Sequence, residues 1–455
     1  MNRFAPIPCA ALALLLFQTA PSSAAAIALS PQDGGEIAFS YQQLTQGYYE
    51  KTNPQAILDS ARRALLAALA KAHVAKATLP PLIAAGDPAA NARAVVREVE
   101  VAGAQAKGKI SAHALSYTAM AGMLASVKDP YTVFLDPKEY AALNGDLNGG
   151  DFGGIGVVIE SDDVTKYIVA SEVVPDSPAD RAGVRQGDLL ETIDGVSTKG
   201  KTIQQASAQL RGKAGTSVTI GLAHDAAPPV PVTIQRGKIH ELSVYDKMLP
   251  GKIGYVELTV FGRTTGAELS AALARLQAQG ARAFVMDLRN NGGGYLDAAV
   301  AVSSKFIPSG PIVSEESRAS QVTTYEADDT AIAPLPLAVL VNGYTASASE
   351  ITTGAIQDDG AGTIVGTRTF GKGVVQNVFP MPDGSAIKIT TARYLTPRNR
   401  NINHVGIVPD IVLAENKTPL YGNPARDAQL QRAIDYLNDR IAHLGGEGSP
   451  APPGS

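Results

Sequence analysis

The 455-residue chain has no Trp, one Cys (Cys9), no run of five like charges, and a single strongly apolar stretch, Ala10–Phe17, near its N-terminus. Each scarcity removes a class of protein. A lone cysteine excludes a disulfide framework and a thiolate metal site, and removing the leader that carries it would also remove any thiol nucleophile. The 39 Lys and Arg nearly balance the 43 Asp and Glu, giving a net charge of -4, so neither a nucleic-acid backbone nor an anionic membrane surface is an expected partner. No segment supplies the roughly 20 apolar residues that cross a bilayer. With 45% hydrophobic and 18% charged residues, collagen-like, coiled-coil and wholly disordered readings fall away. The length points to several folded domains rather than one core.

What is present begins with an export signal. Arg3 is the only charge before Asp33, and it precedes Ala10–Phe17 and the small residues Pro21–Ala26. That order describes a secretory signal peptide over residues 1–26, cleaved after Ala24 or Ala26. The protein is therefore expected to be periplasmic or secreted, or membrane-associated if the signal stays uncleaved. Cys9 lies before the apolar stretch, where a lipidated cysteine would follow it, which argues against a lipoprotein.

Hydrophobic periodicity divides the rest of the chain. Asn53-Pro54 opens an amphipathic helix with Ile57, Ala61, Leu65, Leu69 and Ala72 on one face. Residues 27–148 read as largely helical, with another helix around Tyr117–Val127 and a linker at Asn144–Gly150. Residues 150–238 hold short β-type runs, Ile155–Ile159, Tyr167–Val174, Leu189–Ile193 and Ser217–Leu222, as in a small β-rich domain. In residues 239–420, strand-like Ile253–Val260, Ala283–Leu288 and Leu337–Val341 alternate with helical Ala267–Gln279, Leu296–Phe306 and Ser349–Gln357, the pattern of an α/β core. A C-terminal helix over 421–444 and a flexible Gly/Pro/Ser tail over 445–455 complete the chain.

Three segments of the α/β region carry candidate chemistry. Val341-Asn-Gly-Tyr-Thr-Ala-Ser-Ala-Ser-Glu350 places serines between a strand and a helix, where a nucleophile is exposed and the helix N-terminus favours developing negative charge. The same pattern also suits simple helix capping. Thr369-Phe-Gly-Lys-Gly-Val-Val-Gln376 sets Lys372 between two glycines, and a lysine serves as general base where burial lowers its pKa toward neutrality. Asp287-Leu-Arg-Asn-Asn-Gly-Gly-Gly294 is a glycine turn after a core strand, suited to donating backbone N–H groups to an oxyanion.

Two resemblances join these parts. Gly153-Gly-Ile-Gly-Val157, followed by Pro175-Asp-Ser-Pro-Ala-Asp-Arg-Ala-Gly-Val-Arg-Gln-Gly-Asp188, resembles a PDZ domain of the bacterial secreted-protease type. The loop Gly154, Ile155, Gly156 and Val157 would hold a peptide's C-terminal carboxylate beside an edge strand. The serine, lysine and glycine-turn segments together resemble the C-terminal processing peptidases, or tail-specific proteases, of the Ser/Lys dyad type (peptidase family S41), over residues 115–413. Met123–Pro137, Arg393-Tyr-Leu395 and Gly406–Asp410 extend the likeness. The resemblance implies an α+β multidomain fold: helical N-terminal region, PDZ β-rich domain and an αβ crotonase-like, ClpP-like catalytic core. It implies Ser347 as nucleophile, Lys372 as general base, Gln376 as support, and an oxyanion hole from the N–H groups of Ala348 and Gly293, with Gly294 the alternative. Thr345 stands where the family often has serine, and Gly292 where many members have proline.

The expected activity is an exported serine-type endopeptidase that recognises substrate C-termini through its PDZ domain, with protein or peptide substrates as partners and no cofactor or metal. An activating adaptor and homo-oligomerisation stay open. A Ser-His-Asp triad competes through His240 and His404, but no G-x-S-x-G surrounds Ser347. No H-E-x-x-H supports metal hydrolysis. The other class is a catalytically silent PDZ scaffold or chaperone. An acyl-CoA-handling crotonase relative is opposed by the signal peptide and the PDZ module.

Overall fold

The computed structural model describes residues 29–446 apart from 148–151, 163, 175, 225–226, 240–241, 319–320 and 417–420. The predicted signal peptide, His240 and residues 447–455 of the predicted tail lie outside the described residues. The chain forms two compact units, one of residues up to Phe134 with Val378–Pro382 and Ile387–Ile389, the other of the remainder.

The first unit is built from helices Pro31–Gly47, Pro54–Lys71, Pro88–Ala106 and Ala112–Leu124. The first three open in the same way. A proline needs no N–H partner in the first turn, and the residue before it, Ser30, Asn53 or Asp87, accepts backbone N–H groups one turn on. Ile57, Ala61, Leu65 and Leu69 are fully buried, whereas Ala72 falls just past the helix end as its C-cap. The helix expected around Tyr117–Val127 starts earlier, at Ala112, because Ser111 accepts from Ala114 N and caps it. It then tightens into a 3-10 turn over Ala125–Val127. Gly122 lets two helices touch, since a Cβ there would lie 2.7 Å from Ala64 Cβ and 3.1 Å from Ala61 Cα.

In the second unit, the PDZ portion is an antiparallel sheet ordered Val157–Ser161, Ile168–Val173, Leu189–Ile193, Ser217–Ala223, Val230–Gln235, with Val196–Ser197 paired to Leu189–Ile193. Val157–Ser161 is thus an edge strand. It starts two residues later than the apolar run Ile155–Ile159 suggests, because Gly156 turns the chain at φ +83°. Helices Pro178–Arg181 and Ile203–Leu210 complete the fold.

The α/β portion centres on a six-stranded sheet ordered Val244–Leu249, Ile253–Leu258, Ala283–Asp287, Leu337–Val341, Thr363–Gly366, Ile411–Val412. Only the first pair is antiparallel. Such a sheet must be covered on both faces, which is why Ala283–Asp287 and Leu337–Val341 read as unbroken apolar runs. Phe284, Met286, Val339 and Val341 belong to a core with Leu273, Val302 and Ile351 of helices Thr265–Ala278, Leu296–Ser303 and Ala348–Asp359. The alternate residues Ala283, Val285, Ala338 and Leu340 pack with Leu430 and Leu437 of the C-terminal helix Ala428–Gly446, which runs slightly past the predicted end at 444. A second sheet contains Val374–Pro380, Ala386–Leu395, Pro311–Ser317 and Val322–Glu326.

One buried carboxylate in the first unit generates a pH test. Burial lifts the Glu98 pKa to about 7, against a partial lowering by Arg62, whose Nε lies 3.8 Å away. Because the folded pKa exceeds the ordinary glutamate value of 4.5, Glu98 favours the fold in its protonated form. That contribution is complete below about pH 4.5 and is lost as pH rises through about 7. Glu98→Gln should therefore raise the unfolding midpoint relative to wild type at pH 8 and leave it nearly unchanged at pH 4, measured by denaturant titration; an equal effect at both values would refute the assignment.

Candidate active site

Strand Leu337–Val341 is fully buried and ends in a turn held by its own side chains. Asn342 N donates to Thr345 Oγ1 at 2.9 Å, and that hydroxyl donates to Leu288 O at 2.8 Å. Ser347 follows at φ 57° and ψ -119°, a left-handed φ that costs a non-glycine residue of order 1–3 kcal/mol. It caps helix Ala348–Asp359, whose Glu350 and Ile351 N–H groups donate to Ser347 O at 2.8 and 2.9 Å. Ser347 is half-buried while Ala346, Ala348, Ser349 and Glu350 around it are buried, so it is the accessible residue of that stretch.

The glycine turn is tied to this loop. Asn291 O accepts from Ala346 N and from Ser349 Oγ, both at 3.0 Å. Ser349 thus links the helix to the turn rather than capping it. Gly293 has φ +99°, and a Cβ there would lie 2.8 Å from both Ala348 N and Ser347 Cβ; only glycine allows that approach. The Gly293 N–H itself donates to Asn291 Oδ1 at 2.9 Å. Gly294 lies against Phe261, whose carbonyl oxygen would be 2.2 Å from a Cβ.

Lys372 is half-buried between two glycines that have a steric purpose. A Cβ at Gly371 would lie 2.9 Å from Gly406 N, and one at Gly373 would lie 2.6 Å from Asn403 N. His404, one of the two histidines that compete as base, has an exposed side chain and donates its backbone N–H to Gly371 O at 2.8 Å. Gln376 lies in strand Val374–Pro380, where its Nε2 donates to Val374 O at 3.1 Å.

Two residues without an assigned role in the sequence analysis join the serine and lysine segments. Glu350 is fully buried. Its Oε2 accepts from Ser347 N at 3.0 Å and Lys372 N at 2.8 Å, and its Oε1 from Thr369 Oγ1 at 2.6 Å and Gly371 N at 2.7 Å. Burial raises the Glu350 pKa, and the bonds from Thr369, Lys372, Gly371 and Ser347 oppose that rise. From the other side, the Tyr394 hydroxyl donates toward Ser347 O at 3.1 Å and toward Lys372 O. Glu350 carried a readable signal, the Ser-x-x-Glu spacing of a helix start. Tyr394 carried only its place in Arg393-Tyr-Leu395.

Behind the glycine turn, Arg289 is buried and bonded on two sides. Its Nε donates to Asp287 Oδ1 at 2.9 Å, while Nη1 and Nη2 donate to Asp427 at 2.8 and 2.6 Å. Burial by itself would lower the Arg289 pKa, but Asp427 and Asp287 outweigh it and hold the group charged. Asp287 accepts from Arg289 N at 3.0 Å and from Tyr255 Oη at 2.8 Å.

In the PDZ portion, Ile155 is buried and its carbonyl accepts from Ala179 N at 2.8 Å, while Gly156 O accepts from Val174 N at 3.0 Å. A Cβ at Gly156 would meet Ser177 Cβ at 2.3 Å. Gly154 ends the short strand Phe152–Gly154, and Val157 begins the edge strand.

A PDZ domain followed by a peptidase core defines the class, a serine-type protease, and the comparisons give the family. The model of peptidase family S41 matches residues 252–413, and a PDZ domain model matches residues 169–223. The carboxyl-terminal-processing protease of Picosynechococcus sp. is 36% identical over 328 residues, covering 71% of this chain and 79% of that protein. That of Synechocystis sp. is 36% identical over 337 residues, covering 72% and 78%. The solved structure of a photosystem II D1 C-terminal processing protease is 30% identical, with a TM-score of 0.46 over 85% of this chain and 94% of that one. The chain belongs to the carboxyl-terminal-processing proteases of peptidase family S41.

Removing one carboxylate from the Arg289 cluster tests what holds the glycine turn. Asp427→Ala leaves a buried guanidinium short of a partner, a change that typically costs about 3–5 kcal/mol. Calorimetry of the purified variant should show a lowered unfolding temperature; an unchanged one would mean that Asp427 does not anchor the turn.

Proposed function

We propose that the protein is exported and cleaves proteins or peptides near a free C-terminus, with Ser347 as nucleophile and Lys372 as general base. The observation that carries this reading is the shared Glu350 Oε2, which accepts from the backbone N–H of both residues and so brings the two segments side by side. Neutral Lys372 takes the Ser347 hydroxyl proton as the oxygen attacks a peptide carbonyl. The tetrahedral oxyanion forms beside the N-terminus of helix Ala348–Asp359, where the Ala348 N–H is the first donor. A second donor from the glycine turn completes the hole: Gly293 if its bond to Asn291 Oδ1 yields, or Gly294. The lysine returns the proton to the leaving amine, and water then hydrolyses the acyl-enzyme. Gln376 supports Lys372 from the adjoining strand. The signal sequence Arg3, Ala10–Phe17 and Pro21–Ala26 supports export to the periplasm or beyond.

Ser347→Ala should abolish cleavage of an unfolded protein with the fold intact, and Lys372→Arg should be nearly as inactive, because a guanidinium stays protonated at any usable pH. Cleavage by purified Ser347→Ala would sink the nucleophile; robust activity of Lys372→Arg would move the search for a base to His404 or His240.

Substrate capture belongs to the PDZ portion in this reading, with Gly154, Ile155, Gly156 and Val157 beside an unpaired strand edge. Amidating a peptide's C-terminus removes the charge those N–H groups would meet. Calorimetry with the inactive Ser347→Ala chain should therefore show weaker binding of the amidated peptide than of the free acid at equal ionic strength. Equal affinity would place selection elsewhere.

A further inference from the structure

We propose that Tyr394 is a positioning residue for the acyl transfer, its hydroxyl tying the carbonyl of the base residue to that of the nucleophile; this rests on Ser347 and Lys372 acting as above. The two residues come from segments 25 positions apart, and each is poorly held by its own backbone. Ser347 sits at a φ that its residue type avoids. Lys372 lies between glycines, which in a free chain let its flanking peptides swing.

The structure restrains both residues at both ends. Their N–H groups end on Glu350 Oε2. Their carbonyl groups meet at Tyr394 Oη. The Tyr394 ring is buried in the core beneath the sheet, and its own N–H donates to Gly373 O at 3.1 Å, so strand Ala386–Leu395 holds the Lys372-Gly373 turn by main chain and side chain together. One hydroxyl proton shared between two acceptors ties the two backbones to one point. A displacement of about 1 Å between nucleophile and base is enough to cost about 100-fold in rate.

Tyr394→Phe removes the hydroxyl that makes this tie and keeps the ring. On a peptide substrate the expected result is a kcat lower by about 10- to 100-fold with KM within about twofold. Active-site titration should show full occupancy, and the unfolding midpoint should fall by only about 2–6 °C. In a Lys372→Ala background the same change should add nothing further, because Tyr394 acts through the lysine. Wild-type kcat per titrated site, or a full additional loss in the Lys372→Ala background, would overturn the role. Should Tyr394→Phe fail to fold, 3-fluorotyrosine at position 394 keeps the ring and sharpens the donor. Its kcat should then depart from wild type by about threefold or more at constant KM, and an unchanged kcat overturns the proposal. Loss of activity in Ser347→Ala together with an unaffected Tyr394→Phe would refute this inference alone, whereas cleavage by Ser347→Ala would refute the reading beneath it.

Discussion

Everything at the site hangs on one buried carboxylate. Glu350 is removed from solvent, and an ionised carboxylate in that position is costly unless hydrogen bonds replace its lost hydration. The donors that replace it come from Ser347, Thr369, Gly371 and Lys372, and the two segments they belong to are joined again where Phe370 N donates to Thr345 O at 3.0 Å. Solvating Glu350 and assembling the site are therefore the same act. The strain of Ser347 at positive φ is opposed in the same place, by the bond from its N–H to Glu350 Oε2.

Rigidity elsewhere follows from this requirement. Gly293, Gly371 and Gly373 each stand where another backbone passes within about 3 Å of an imagined Cβ, so the glycines serve contact as well as flexibility. Asn291 uses its carbonyl to bind Ala346 and Ser349 and its side-chain oxygen to bind Gly293. The Ser347 loop, the glycine turn and the lysine segment form one hydrogen-bonded assembly at the end of a sheet whose central strands Ala283–Asp287 and Leu337–Val341 are buried on both faces. That burial lets the strands act as fixed mounts.

How much of this could be read beforehand depended on whether the cause was local. The serine, lysine and glycine segments were legible because each is a short run whose residues state their own purpose. The helix Pro54–Lys71 was legible from its cap and apolar stripe, and the sheet from uninterrupted apolar runs. Helix Ile203–Leu210 was not singled out, although Thr202 and Gln205 form a capping box. Tyr394 shows in the sequence only as the middle of Arg393-Tyr-Leu395, because its contact with Ser347 spans 47 residues and no periodicity encodes it. The bond from Arg289 to Asp427 spans 138 residues; such a pair is visible only once the C-terminal helix has docked.

That last bond also shows where the working unit of the peptidase ends. The matched family segment stops at residue 413, yet Asp427 and Gln429 beyond it both accept from Arg289 Nη1. Arg289 is two residues before Asn291, and a buried guanidinium must be surrounded by acceptors to stay charged. Leu430, Ala433 and Leu437 meanwhile close the second face of the sheet. The segment after residue 420 therefore does two jobs that cannot be separated: it covers strands that would otherwise face water, and its first turn neutralises the cation that pins the glycine turn. A chain ending at residue 413 would keep every candidate catalytic side chain and lose the support that places one wall of the site.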